Sequence, residues 1–202
     1  MSINLSKGQR ISLEKNGTSL SRIEIGVNWG AIKKTTKGFF GGEKTRNVDV
    51  DLDASVGLFD ESGEVVDIVY FGQLKSRCGA IHHSGDDLTG DIGGDDGRDN
   101  EVISIDLNRI PANITRLGLV LNSFRKQDFA DIPYANIRIH DGSGSIFGTF
   151  DVANDASFSG KISMIMASVY RHGESWKFRS IGEAVDDRDL KSTLVTFSRK
   201  FA

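Results

Sequence analysis

Apolar and polar residues alternate along most of the chain. Between 48 and 58 the even positions are Val48, Val50, Leu52, Ala54, Val56 and Leu58, while the odd ones open with Asp49, Asp51, Asp53 and Ser55. A period of two marks a strand with one face buried. A half-buried strand is therefore expected over 47–59, with its three aspartates about 7 Å apart along the other face. The same alternation puts Ile23, Ile25, Val27 and Trp29 on one face of Arg22–Trp29, and turns Ile103, Ile105 and Leu107 inward on Val102–Leu107. Further strands are predicted for Gln9–Leu13, Val65–Phe71, Ala80–His83, Arg116–Phe124, Ala135–His140, Ser145–Val152, Lys161–Tyr170 and Ser175–Ile181. Turn sequences punctuate them at Asp60-Glu61-Ser62-Gly63, Asp141-Gly142-Ser143-Gly144 and Arg171-His172-Gly173-Glu174. Short strands at such regular spacing predict a mainly β chain folded as a two-sheet antiparallel β-sandwich.

The period changes only at the C-terminus. Leu190, Leu194, Phe197 and Phe201 recur at helical spacing after Asp186 and Asp187, two N-cap candidates, and predict a short C-terminal helix whose stripe packs across the sandwich. Residues 30–47, rich in Gly, Lys and Thr, read as a mobile insertion that Phe39 and Phe40 could anchor. No internal repeat or linker interrupts the pattern, so residues 1–202 read as one domain.

Composition narrows the classes. With 202 residues, 38% hydrophobic and 26% charged, the chain can bury a sizeable core and is not disordered. The net charge is −3, and no segment concentrates Lys and Arg enough to follow a phosphate backbone, so no nucleic-acid partner is expected. Lys33, Lys34, Lys37, Lys44 and Arg46 surround Phe39 and Phe40, a composition suited to an acidic partner or to peripheral association with the inner membrane; the alternative is a solvated loop. The single cysteine, Cys78, excludes an internal disulfide and fits a reducing compartment. Without an apolar signal segment or a span near 18 residues, a cytoplasmic location is expected.

The chemistry concentrates in Gly85–Glu101, where Asp86, Asp87, Asp91, Asp95, Asp96, Asp99 and Glu101 face only one cation, Arg98. Two like charges about 5 Å apart repel by roughly 3 kcal/mol at an effective dielectric near 20. Such a loop either spreads into solvent or holds a cation, and oxygen ligands on a glycine-rich loop suit calcium. Asp49, Asp51 and Asp53 need a charge partner too, either lysines on neighbouring strands or a metal shared with the loop. Their spacing imitates an EF-hand, but Ala54 stands where that loop needs its turn glycine. Catalysis has little support. Cys78 lies in a turn, and His82 and His83, being adjacent, point to opposite faces of a strand. No Cys/His zinc spacing or phosphate-binding glycine loop is present.

Four motifs resemble the tellurium-resistance TerD family: Asp49–Ser55, Tyr70–Ser76, Gly85–Gly90 and Tyr170–Arg179. The opening Leu5-Ser6-Lys7-Gly8 and the strand end Gly26-Val27-Asn28-Trp29 are similar to it as well, and the likeness covers nearly the whole chain. The 30–47 insertion is closer to the family's TerZ/TerX-like branch. The resemblance implies a cytoplasmic bacterial stress protein whose β-sandwich binds calcium at acidic loops. On that basis the metal ligands would come from Asp49, Asp51 and Asp53 on the strand, Asp86 and Asp87 in the first half of the loop, and Asp95, Asp96, Asp99 and Glu101 in the second. The second half is longer than the family's usual Gly-Asp-Asp-Glu, which leaves open whether Asp95/Asp96 or Asp99/Glu101 fills that role. At about six to eight oxygens per ion, these carboxylates suffice for two calcium ions. The expected function is a calcium-binding, non-catalytic interaction module with protein partners in a stress-response system. The alternatives are a metal-dependent phosphate-ester hydrolase or a small-molecule binder with a structural metal.

Overall fold

Two six-stranded sheets lie face to face in the computed structural model, which describes residues 2–37, 42–151 and 156–202. The first sheet runs Ile3–Asn4, Ile146–Asp151, Ala135–Asp141, Arg22–Trp29, Glu101–Asp106, Ile81–His83. The second runs Arg10–Ser12, Ser175–Val185, Ser163–His172, Ile114–Ser123, Leu52–Asp60, Val65–Val69. Within these two sheets the pairings are antiparallel, apart from the short parallel contact of Ile3–Asn4 with Ile146–Asp151. The alternation sets the core. Ile23, Ile25, Val27 and Trp29 meet Leu52, Ala54, Val56 and Leu58 between the sheets, each at 2% exposure or less.

The structure departs from the pattern in several places. The strand expected from residue 47 begins at Leu52, leaving Asp49–Asp51 as an irregular lead-in. It is buried on both faces, because a second apolar layer covers the outer side of its sheet. The C-terminal helix Leu190–Phe201 supplies that layer: Leu194 and Phe197 pack with Phe59, Val120, Ile165, Ile181 and Val185 rather than entering the space between the sheets. Gly57 and Gly118, paired across adjacent strands, form its seat. A Cβ on Gly57 would lie 2.8 Å from Leu194 Cδ2, and one on Gly118 2.7 Å from Phe197 Cε1. The helix N-cap is Asp189, which closes a capping box with Ser192; Asp186 instead pairs with Lys161.

The insertion expected to be mobile contains a β-ribbon, Ile32–Lys37 paired with Glu43–Val48, with its side chains exposed from Lys33 to Lys37 and from Glu43 to Asn47. Phe39 and Phe40, expected to anchor it, lie outside the described residues. Among the described residues no helix is long and apolar enough to cross a membrane.

Candidate metal centre

The acidic segments meet at one end of the sandwich, and Trp29 draws them together. Its buried indole Nε1 donates to Val50 O at 2.9 Å, which fixes the lead-in carrying Asp49 and Asp51. Its backbone holds the loop: Trp29 O accepts from Asp91 N at 2.9 Å, and Trp29 N donates to Asn100 Oδ1 at 2.8 Å. Gly90 crosses the indole at φ +67°, where a Cβ would sit 2.7 Å from the ring, so glycine is required there. Val50 N then donates to Thr89 O at 2.9 Å, locking lead-in to loop.

Beneath them a buried pair ties the two sheets. Glu101 accepts from Ala54 N at 2.8 Å, and His83 Nε2 lies 3.0 Å from Ala54 O and 3.4 Å from Glu101 Oε2. Burial works against a charged ring, and Glu101 outweighs it, raising the proton affinity of His83. Gly85 N–H nevertheless points at His83 Nδ1 at 3.1 Å. A proton on Nδ1 would face another donor, so this contact opposes protonation there and favours the tautomer with its proton on Nε2.

Three carboxylates converge above this pair. Ligand oxygens of Asp51, Asp53 and Asp86 all lie within 4.8 Å of one another, with Asp51 and Asp53 buried and Asp86 exposed. Burial first, then the charges of Glu101, Asp51 and Asp86, pushes the Asp53 pKa up to about 7. Asp51 is raised as well, by burial and then Asp86, although Arg125 Nε stands 3.3 Å away and opposes the shift. A second group, Asp91, Asp95 and Asp96, meets the same 4.8 Å limit at a more exposed position.

The remaining candidates have other contacts. Asp49 lies 4.0 Å from Arg125 and is outside both groups. Asp87 Oδ1 accepts from Thr89 N, Thr89 Oγ1 and Gly90 N at 2.9 to 3.0 Å, closing a turn; these donors outweigh its burial and lower its pKa. Asp99 accepts from Arg138 Nη1 at 2.8 Å and faces His140 Nε2 at 2.9 Å, while Arg138 Nη2 also pairs with Asp95. Glu101 is spent on Ala54, His83 and Asp87 N. The longer second half of the loop is thus divided: Asp95 and Asp96 join a cluster, and Asp99 and Glu101 fasten the loop.

The sequence pattern does not single out Asp91 as a ligand, although it lies in the acidic run. Its place follows from the Gly30–Asp91 bridge and from donors on distant segments, Asn28 Nδ2 at 3.0 Å and Tyr134 Oη at 2.8 Å. Arg125 and Arg138 are hidden for the same reason, since nothing near them in the sequence marks them as loop partners.

The first group fits a calcium ion. Calcium–oxygen distances of about 2.3–2.6 Å keep two ligands of one ion within about 5 Å of each other, which the 4.8 Å limit satisfies. Two of its three carboxylates are buried and Arg125 is their one close cation among the described residues, so negative charge is left uncompensated. The second group fits less closely, because Arg138 already neutralises Asp95.

Fold and site together define a class: two-sheet antiparallel β proteins that gather carboxylates on loops at one end. This chain belongs to the TerD domain family, whose profile matches residues 1–197. It is 41% identical to stress response protein SCP2 of Bacillus subtilis (strain 168), across 96% of this chain and 98% of that one. It is 37% identical to tellurium resistance protein TerZ of Serratia marcescens, across 96% and 97%. A crystal structure of a homologue of telluride resistance protein TerD from Streptomyces coelicolor A3(2) has the same fold, with a TM-score of 0.62 at 17% identity over 89% of this chain and 96% of that one.

Proposed function

We propose that this chain is a calcium-binding, non-catalytic interaction module of a bacterial stress-response system of the tellurite-resistance type. The observation that carries the reading is the convergence of Asp51, Asp53 and Asp86 with two of the three buried. Three carboxylates at that separation repel strongly in a partly desolvated site, and a divalent cation would relieve the repulsion. Asp51, Asp53 and Asp86 would hold the first ion and Asp91, Asp95 and Asp96 a second. The bound ion would supply positive charge that clamps lead-in, loop and strand together, giving partners a rigid surface at this end of the sandwich.

A binding role is supported by how the potential catalytic groups are used. Both ring nitrogens of His83 face backbone groups, and Cys78 Sγ lies 3.3 Å from Ser76 Oγ. The relatives' names connect the family with tellurium resistance and stress response, and protein partners in the cytoplasm fit that connection.

Thermal unfolding of chelator-stripped protein tests the proposal. With calcium at 100 times its dissociation constant, one site adds about 2.7 kcal/mol. For a domain of this size that corresponds to a rise in Tm of about 5–11 °C. Magnesium, which dehydrates reluctantly, should give a smaller rise. A Tm unchanged in millimolar calcium would sink the proposal, and a preference for magnesium would favour the hydrolase alternative.

A further inference from the structure

The motif Tyr170–Arg179 plays no part in the acidic site. Half of it is structural: Arg171 donates from Nε to Ile114 O at 2.9 Å and from Nη2 to Ile110 O at 3.0 Å, and stacks 4.4 Å from the centre of the Trp176 ring. The other half points outward from the second sheet. Arg10, Arg179 and Ser168 lie side by side in one row across three strands, and Lys177, Tyr170 and Arg116 fill the next row on the same face. Strands about 4.8 Å apart and rows about 7 Å apart confine four cations to a small area.

Among the described residues, none of these four cations forms an ion pair. The neighbouring carboxylates leave them unmatched: Glu183 pairs with Lys200, and Glu174 stays exposed at the hairpin turn. Arg179 stands directly opposite Arg10, an arrangement that destabilises a sheet. The crowding reaches Arg116, whose pKa is lowered by burial and by the charges of Arg179 and Arg10, against the pull of Tyr170. Arg116 covers the Tyr170 ring at 5.4 Å and Arg179 the Phe201 ring at 5.3 Å, contacts that orient the guanidinium groups without neutralising them. A second observation is independent of charge: Arg179 Nε has no hydrogen-bond partner. The Arg179 guanidinium therefore has hydrogen-bonding capacity that an added acceptor can use.

We propose that Arg10, Arg116, Lys177 and Arg179 form a binding site for a phosphate group, either free phosphate or a phosphate monoester. A dianion with several acceptor oxygens matches multiple forked donors better than a single carboxylate does. The site lies on the outer face of the second sheet and is independent of the calcium assignment.

The test is carried out in chelator, so that calcium plays no part. Inorganic phosphate is titrated into wild-type protein and into R116Q/R179Q, with chloride at matched ionic strength as the control. Phosphate at 100 times its dissociation constant should raise the wild-type Tm by about 5 °C or more, and the double variant should lose that shift. Each shift is read against that protein's own Tm in phosphate-free buffer, because the variant loses the ring contacts of Arg116 and Arg179 together with their repulsion. If the variant fails to fold, R10Q, an exposed position, replaces it and should weaken phosphate binding several-fold. Two further arms distinguish the source of the phosphate. Binding of glycerol phosphate without retention on phosphatidic-acid vesicles assigns a soluble monoester, and retention that R116Q/R179Q abolishes assigns a lipid headgroup. The proposal is overturned if wild type responds to phosphate no more than to chloride, or if the variants respond as wild type does.

Discussion

Asp53 carries the strongest conflict among the acidic residues. Its pKa stands at about 7 in the folded, metal-free protein, against about 3.9 in an unfolded chain. Between those values the folded state retains a proton that the unfolded chain has released, so this group's contribution makes stability fall as pH rises from about 4 to about 7. Asp53→Asn should therefore match wild type near pH 4 and melt above it at pH 7.5 in chelator; parallel melting curves at both pH values would refute this. Arg125 makes the complementary case. Its guanidinium beside Asp51 supplies part of the charge that a divalent ion would supply, so Arg125→Ala should bind calcium several-fold more tightly. A weaker Kd in calorimetry would mean that Arg125 builds the site instead of competing for it.

At the scale of elements, the C-terminal helix works as the lid of a second core. Phe197 is fully buried against Phe59, with ring centres 4.8 Å apart, over the Gly57/Gly118 seat. Truncating such a residue costs about 3–5 kcal/mol. Phe197→Ala should lower the urea midpoint accordingly and leave calcium affinity unchanged, because the helix contributes no carboxylate to either cluster. A loss below about 1 kcal/mol would mean the helix is only loosely docked. The existence of this helix was legible from its 3.6-residue stripe, but the face it covers was not. A strand alternating Val, Leu and Ala with Asp and Ser reads as one-sided, and only the glycines at 57 and 118, paired across strands in space, reveal that something sits on the other side. The acidic loop divides in the same way. Its carboxylates were evident from composition, whereas the roles of Asp91, Asp99 and Glu101 depend on Asn28, Arg138, His83 and Tyr134, which only the folded sheets bring near.

For the whole molecule, the two sheets divide the work. Their facing sides make the core, one end gathers carboxylates, and the outer face of the second sheet carries the helix beside an unpaired basic patch. At this scale the decisive question is whether Asp51, Asp53 and Asp86 hold calcium. Calorimetric titration of chelator-stripped wild type, Asp53→Asn and Glu61→Gln with calcium tests it directly. Wild type and Glu61→Gln should bind alike, and Asp53→Asn should lose one binding event while remaining folded. Equal binding by Asp53→Asn and wild type, or no calcium binding by wild type, would contradict the account.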